Sequence, residues 1–476
     1  MSYGIYIGKN HAAAGHGWLA GYGDEPSSHW LEVVPRASHP TGSTVTVGVD
    51  ATAEMPGHRT DIPQVPETSR HLRVSYSYFL GVPAPITNGG LNEHGVAVRD
   101  IWSPGRPELI AMTPTDQTGP TYSDLARLVL ERARTAREGV DLIGALIAEH
   151  GYSCYGGNSH IIADPDEAWV VLQYPGGLRL WVAERLGPDS IRASRPGYIT
   201  AIPAQPNADF QFPDHFIATA IQLGWYDPAQ GQFNPNAVYG DGKGRWDGVA
   251  WIEDELRARA ARPEKIAFDD VVWAIATERL TGDTAGYGQV VPLVHPRHDA
   301  LRVMWHAPIG PVTAPHVPVF MGMTEVPPEY GPHRYLTTGE AARFHDRRKV
   351  IARPNSVSSV PQGAEITRSA MQIFKHLMHA VFQDHETMLP IVQKHWRGHE
   401  ARFAAELADV LRSAEVLIDA GEGRLATRLL DQHVRACLLM TLDEAGHLLR
   451  GLEAMLRVGG KLNLDHQTYR GPAQIW

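Results

Sequence analysis

Cysteine is nearly absent from this chain: Cys154 and Cys437 are the only two in 476 residues. That excludes a disulfide framework and any zinc cluster built on cysteine. Positive charge is also in deficit. Lysine and arginine number 43 against 53 aspartates and glutamates, for a net charge of −10. A polyanion-binding surface needs clustered positive charge, so nucleic acid is not an expected partner. No apolar run approaches the ~20 residues that span a bilayer, so no membrane partner is expected. What is present is a 43% apolar composition, enough for a large core. The length fits roughly three average domains, or one large core with an appendage.

The chain opens Met1-Ser2-Tyr3-Gly4-Ile5-Tyr6-Ile7-Gly8-Lys9. These residues lack the basic start and the roughly 7–15-residue apolar stretch of a secretory leader, so a cytoplasmic location is expected. Ile5 and Ile7 alternate with Tyr6 and Gly8, the period of a strand. Ser2 is small, the condition for removal of an initiator methionine. The mature chain would then begin with a serine carrying a free α-amine. Such a serine needs no histidine, because its own amine takes the hydroxyl proton, and an α-amine pKa of about 7.7–8.0 suits a general base.

Further along, short β-branched and aromatic stretches alternate with turn residues, as in Ser43–Val49, Leu72–Phe79 and Val96–Trp102 after an expected turn at Asn88-Gly89-Gly90. Hydroxyl caps at Thr121–Ser123 precede a helical run through Leu125 to Leu130, and Val140–His150 reads as a second helix closed by Gly151. Strands follow at His160–Ala163, Ala168–Gln173 and Leu178–Ala183. The order of strands, two helices and strands is that of an α+β or layered core. Residues 200–245 are rich in proline, asparagine and glycine and read as a long surface excursion. Helices are expected at Ala250–Ala261 and Phe268–Arg279, and late strands at Leu301–His306 and Val317–Met321. From about Ala364, apolar residues recur at helical spacing through Phe374, Leu377, Leu407, Val410, Leu438 and Leu442, the pattern of two to four amphipathic helices. The division expected is 2–335 as core, 336–363 as linker, 364–460 as a helical C-terminal region and 461–476 as a tail.

The opening Ser2–Lys9, with Gly15–Asp24, resembles the start of the family C69 dipeptidases, which are N-terminal-nucleophile (Ntn) hydrolases. Gly90-Leu91-Asn92-Glu93-His94-Gly95-Val96-Ala97, the run from Ala136-Arg137-Glu138-Gly139 to Tyr152, Gly157-Asn158, Asp166–Trp169, Trp181–Arg185, Trp305 and Pro318–Tyr330 follow in that family's order. The resemblance covers most of residues 2–335. It implies an αββα sandwich with the nucleophile at the start of a central strand, and amide hydrolysis through an acyl-enzyme. Ser2 falls on the position of the nucleophile, usually cysteine in the family. Asp24 falls on the residue that contacts the α-amine. An arginine that the family carries three residues earlier is replaced by Gly21, and Tyr22 with its flanking glycines implies a wider, less charged pocket.

The resemblance makes Ser2, Asp24, Asn158 and Arg195 the candidate catalytic residues, with Asn158 or the Ser194-Arg195 pair as oxyanion or orienting donors. Tyr22, His160, Ser194 and Trp102 are the candidate substrate-binding residues. The expected substrate is a dipeptide or a related small amide. An acyl-transferring relative and an inactive ligand-binding scaffold stand as alternatives, and a homo-oligomer is left open. No cofactor is expected. His376, His379 and His385 have a spacing that binds metals, but no H-E-x-x-H pattern completes it, so a solvated helix face is the expectation. Gly240–Gly244 lacks P-loop spacing. Cys154 is expected to be an inert internal thiol.

Overall fold

Tyr3–Ile7 forms the strand expected at the chain start (β1), buried along its whole length. In the computed structural model, residues 2–23, 29–76, 82, 86–331, 368–463 and 470–475 are described. The expected linker at 336–363 lies outside them. β1 sits inside a six-stranded antiparallel sheet. Its other members are β2 (Gly17–Gly23), β10 (Ile191–Ser194), β12 (Tyr287–Leu293), β13 (Val303–Pro308) and β14 (Val317–Phe320), in the order β10-β1-β2-β12-β13-β14.

A second, eight-stranded sheet faces it. It comprises β3 (His29–Val34), β4 (His71–Tyr76), β5 (Ile86–Asn92), β6 (Ala97–Trp102), β7 (Asn158–Ala163), β8 (Ala168–Gln173), β9 (Trp181–Leu186) and β11 (Phe210–Gln211), in the order β11-β9-β8-β7-β6-β5-β4-β3. The hairpin turn before β6 is not at Asn88–Gly90. Those residues lie within β5, and the chain reverses at Glu93–Gly95, where Asn92 Oδ1 accepts from the His94 and Val96 backbone N–H groups. Gly89 and Gly90 are glycine because a Cβ at either would run into the carbonyls of Val98 and Leu72 on the flanking strands. The expectation mistook a close-approach requirement for a turn signal.

Helices of eight residues or more cover the outer faces. α1 (Tyr122–Arg132) and α2 (Ala136–His150) lie on the eight-stranded sheet. Thr121 and Asp124 close a capping box at the start of α1, and the Thr135 hydroxyl caps α2. Leu125, Val129, Val140 and Ile147 share one cluster with Val98, Ile162, Trp169 and Val171 on the sheet's outer face. On the six-stranded sheet, α3 (Asp247–Ala260) packs against β10, and α4 (Phe268–Ile275) against β2 and β12. The layering is thus helix, sheet, sheet, helix, the αββα sandwich that was expected.

α5 (Ala370–Phe382), α6 (His385–Asp419) and α7 (Gly423–Val458) pack against β13 and β14, and their apolar faces join the main core cluster. Residues 200–245 are not a plain surface excursion. Phe212, Phe216, Phe233 and Tyr239 are buried there as an aromatic cluster, which the Pro/Asn/Gly content had masked. No helix among the described residues is long and apolar enough to cross a membrane.

One buried polar contact ties the helical region to the sandwich. Glu400 of α6 accepts from the His316 backbone N–H and from its Nδ1, both at 2.9 Å. Removing the carboxylate leaves two buried donors without an acceptor, each costing roughly 1–3 kcal/mol, so Glu400→Ala should lower unfolding free energy by about 2–6 kcal/mol. Urea unfolding followed by circular dichroism measures this.

Candidate active site

Strand alternation decides what each residue near the chain start faces. A Cβ on Gly4 would meet Ile101 and Ile161 of the opposite sheet, so Gly4 looks into the space between the sheets. Tyr3 looks the other way, its hydroxyl donating to the Ala274 carbonyl of α4 at 2.6 Å. Continued one residue beyond β1, the same alternation assigns Ser2 to the inner face. It is only 7% exposed.

Arg195 follows β10 directly and is 6% exposed. Its Nη1 donates to the Ser2 carbonyl oxygen at 2.9 Å. The guanidinium lies over two indole rings, 5.5 Å from Trp102 and 5.2 Å from Trp246. Trp102 closes β6, and Trp246 immediately precedes α3. Trp246 Nε1 in turn donates to Asp241 at 3.2 Å. Asp241 of the Gly-rich segment 240–244 thus helps to seat this aromatic wall. The clamp holds a permanent cation against Ser2, the residue just before β1, in a partly desolvated setting where a cation–π contact is worth about 0.5–2 kcal/mol.

The region over Gly21 is not the wide, less charged space expected. Arg99 of β6 crosses from the eight-stranded sheet and fills it. A Cβ on Gly21 would lie 2.8 Å from Arg99 Nε and 2.7 Å from the Tyr3 carbonyl oxygen. Arg99 is fully buried. Its Nη2 donates to the Tyr22 carbonyl at 2.5 Å, and its Nη1 to the Asn88 carbonyl, the Tyr287 hydroxyl and the Asp100 carboxylate at 3.1–3.2 Å. A side chain at position 21 and the guanidinium of Arg99 compete for one volume. The signal was present in the sequence as a charged pair, Arg99-Asp100, inside an apolar strand.

The other candidates divide. Ser194 pairs directly with Gly4 and so shares the inner face. Its hydroxyl is fully buried and makes no hydrogen bond among the described residues, which leaves it available to a bound group. Tyr22 faces outward with Tyr3, ring centroids 5.1 Å apart, and its hydroxyl donates to the Leu280 carbonyl. It therefore lies on the far side of the sheet from Ser2. Asn158 Oδ1 accepts from the Tyr155 hydroxyl at 2.9 Å, and its Nδ2 donates to the Ser159 carbonyl.

His160 also faces the helix layer. It lies between the Tyr122 carbonyl of α1 and Gln173 of β8, at 2.9 and 3.1 Å, and burial pushes its pKa down to about 4. Since β7 presents Ile161, not His160, to Gly4, His160 is withdrawn from the space that Ser2 faces. Asp24 lies outside the described residues. Burial pushes the Cys154 thiol up, and its Sγ contacts the Thr113 hydroxyl at 3.8 Å.

A family model described as Peptidase family C69 matches residues 75–246. That segment holds Arg99, Trp102, Asn158, Arg195 and Trp246, while Ser2 and Gly21 precede it. A probable dipeptidase of Salmonella dublin is 30% identical over 154 residues, which cover 32% of this chain and 34% of that protein. A probable dipeptidase of Latilactobacillus sakei is 27% identical over 157 residues, covering 32% and 31%. The chain thus spans about a third of the length of the curated relatives it matches. Among solved structures, two mutant forms of the conjugated bile acid hydrolase from Clostridium perfringens align at 11% identity and a TM-score of 0.33. They cover 65% and 64% of this chain and 89% of theirs.

Two expectations follow from this geometry. Gly21→Ala drives a methyl into Arg99 and the Tyr3 carbonyl, and overpacking of this kind costs about 1–3 kcal/mol, visible as a lowered urea midpoint. The second concerns acid. His160, His71 and His306 are buried, with pKa values pushed by burial to about 4, about 3 and about 3 from an ordinary 6.5. As pH falls below 6.5 the unfolded chain binds protons that the folded chain refuses, so these groups withdraw stability progressively between pH 6.5 and about 3, His160 completing its share by about pH 4. Urea midpoints over that window should fall, and His160→Gln should make the slope shallower.

Proposed function

We propose that this chain hydrolyses dipeptides or related small amides through an acyl-Ser2 intermediate, with the Ser2 α-amine as base. The observation that carries this reading is the setting of Ser2: buried just before β1, with its carbonyl held by an arginine clamped between two indoles. The match of residues 75–246 to peptidase family C69, and the probable dipeptidases among the relatives, support the peptidase class.

The chemistry runs in two halves. With Met1 removed, the α-amine takes the Ser2 hydroxyl proton as Oγ bonds to the substrate carbonyl carbon, and the carbonyl electron pair moves onto its oxygen. Collapse of that tetrahedral adduct breaks the C–N bond, and the leaving amine carries off the proton held by the ammonium. Water then attacks the Ser2 ester and gives its proton to the same amine; collapse of that adduct breaks the bond from the acyl carbon to Oγ, releases the acid, and returns the proton from the ammonium to Oγ. Arg195 holds Ser2 through its carbonyl and supplies fixed positive charge beside the reacting centre. Ser194 Oγ is the donor proposed for the developing oxyanion. Asp24 is assigned to the ammonium by the resemblance alone. Trp102 and Trp246 wall the substrate. Arg99 is a positioning residue that holds the end of β2 against β6. This reading takes the enzyme to be cytoplasmic and to need no cofactor.

Intact-mass analysis with an activated-amide probe tests the mechanism. The expected result is a chain lacking Met1 that gains one acyl group on Ser2. Ser2→Ala should abolish the adduct and lower dipeptide turnover by at least about 10³-fold, the scale on which removal of a serine nucleophile acts. An active protein that retains Met1, or turnover that survives Ser2→Ala, overturns the reading.

A further inference from the structure

Away from the sandwich, α6 and α7 bring two histidines and a glutamate to one point. His395 and His399 stand one turn apart on α6, so both rings project from one face, with centroids 4.9 Å apart. Glu444 of α7 presents Oε2 to both, 2.7 Å from His395 Nε2 and 2.6 Å from His399 Nε2. All three donor atoms lie within 4.8 Å of one another, the one such group of three among the described residues. His376 and His379, the pair singled out by spacing, are exposed on α5 and form no such group there.

We propose that His395, His399 and Glu444 form a binding site for a divalent transition-metal ion of the zinc class, clamping α6 to α7. Two imidazole nitrogens and one carboxylate oxygen are the ligand types such ions select, and three protein ligands leave a fourth, water-filled position. The side chains are 34%, 11% and 30% exposed, so the site is open on one side to that water. Trp396 packs beside His395 and Phe403 beside His399, ring centroids 4.7 and 6.0 Å away, which limits the rotamers of both ligands. Tetrahedral zinc holds nitrogen and oxygen ligands at about 2.0–2.2 Å, hence about 3.4 Å from each other. The two imidazole–carboxylate separations need to open by less than an ångström, within the reach of side-chain torsions.

One neighbour opposes the ion. Arg402, one turn beyond His399, donates from Nη2 to His399 Nδ1 at 3.2 Å. An arginine only donates, so without metal the His399 proton sits on Nε2 and points at Glu444. Binding moves that proton to Nδ1 and turns Arg402 away. Glu406 lies 3.9 Å from Arg402 Nε, ready to take it. Arg402 therefore weakens the site through both its charge and its competing donor.

The proposal does not depend on the reading of Ser2, and its test uses the full chain without substrate. Zn²⁺ titration by calorimetry and Co²⁺ titration by visible absorption should each saturate at one equivalent. Zn²⁺ should raise the melting temperature. His395→Ala and His399→Ala should each abolish the Co²⁺ spectrum. Loss of an outer partner alone costs roughly 10–100-fold in metal affinity, so the milder Glu444→Gln, which keeps the helix contact, should weaken binding by at least about tenfold. Arg402→Ala should tighten it. Absence of stoichiometric binding in a folded wild-type chain overturns the proposal. So does binding undiminished in Glu444→Gln and in the His395→Ala/His399→Ala double variant, which would place the ion elsewhere.

Discussion

The buried guanidinium of Arg99 is the constraint around which the two sheets are arranged. A charge taken out of water is costly unless it is paired and hydrogen-bonded. Arg99 meets that condition only where the sheets approach each other: on its own sheet it reaches Asp100 and the Asn88 carbonyl, and on the other the Tyr22 carbonyl and the Tyr287 hydroxyl. It has room there because Gly21 and Gly4 carry no side chain. Two glycines on one sheet and an arginine on the other thus specify the register between sheets at the end of β1 where Ser2 stands.

The same end is closed from the other side by Arg195. Its charge is placed between Trp102 and Trp246, and the position of Trp246 depends on Asp241 in the long segment between β11 and α3. That segment is anchored by its own aromatic cluster around Phe216 and Tyr239. A stretch whose composition suggests a loose excursion is therefore part of the wall of the candidate site. The C-terminal helices are held to the far edge of the six-stranded sheet by the Glu400–His316 contact, by Trp396 Nε1 donating to the Thr313 carbonyl, and by Tyr330 donating to the Leu438 carbonyl. They lie beside β13 and β14, several strands from β1.

Much of the fold was legible because local physics and burial agree. The opening strand, the capped α1, the Gly151 stop of α2 and the amphipathic C-terminal helices all declare themselves by period and by cap. The errors arose where glycine or proline content served a tertiary purpose. Gly89 and Gly90 look like a turn but lie inside a strand pressed between two neighbours. Of the candidate residues, Arg195 bonds the Ser2 carbonyl and lies over Trp102, and Ser194 pairs with Gly4 on the inner face. Tyr22 and His160 face away from it, because a single residue of strand register decides which face of a sheet a side chain occupies. Arg99 and Trp246 went unread, since nothing local says that a buried arginine will cross to a glycine 78 positions earlier in the chain.

The sequence by itself determined that the chain begins in a strand behind a small hydroxyl residue, that strands and paired helices build a layered core, and that neither disulfides nor helical membrane spans hold it. Those properties depend on composition and on periods of two and 3.6 residues, which any short window contains. Only the tertiary structure decided which residues look toward Ser2, that the volume over Gly21 is taken by a cation from the opposing sheet, and that two helices of the C-terminal region converge on one His-His-Glu cluster. Those facts depend on contacts between residues tens to hundreds of positions apart, and such contacts exist only after the sheets have paired and the helices have docked.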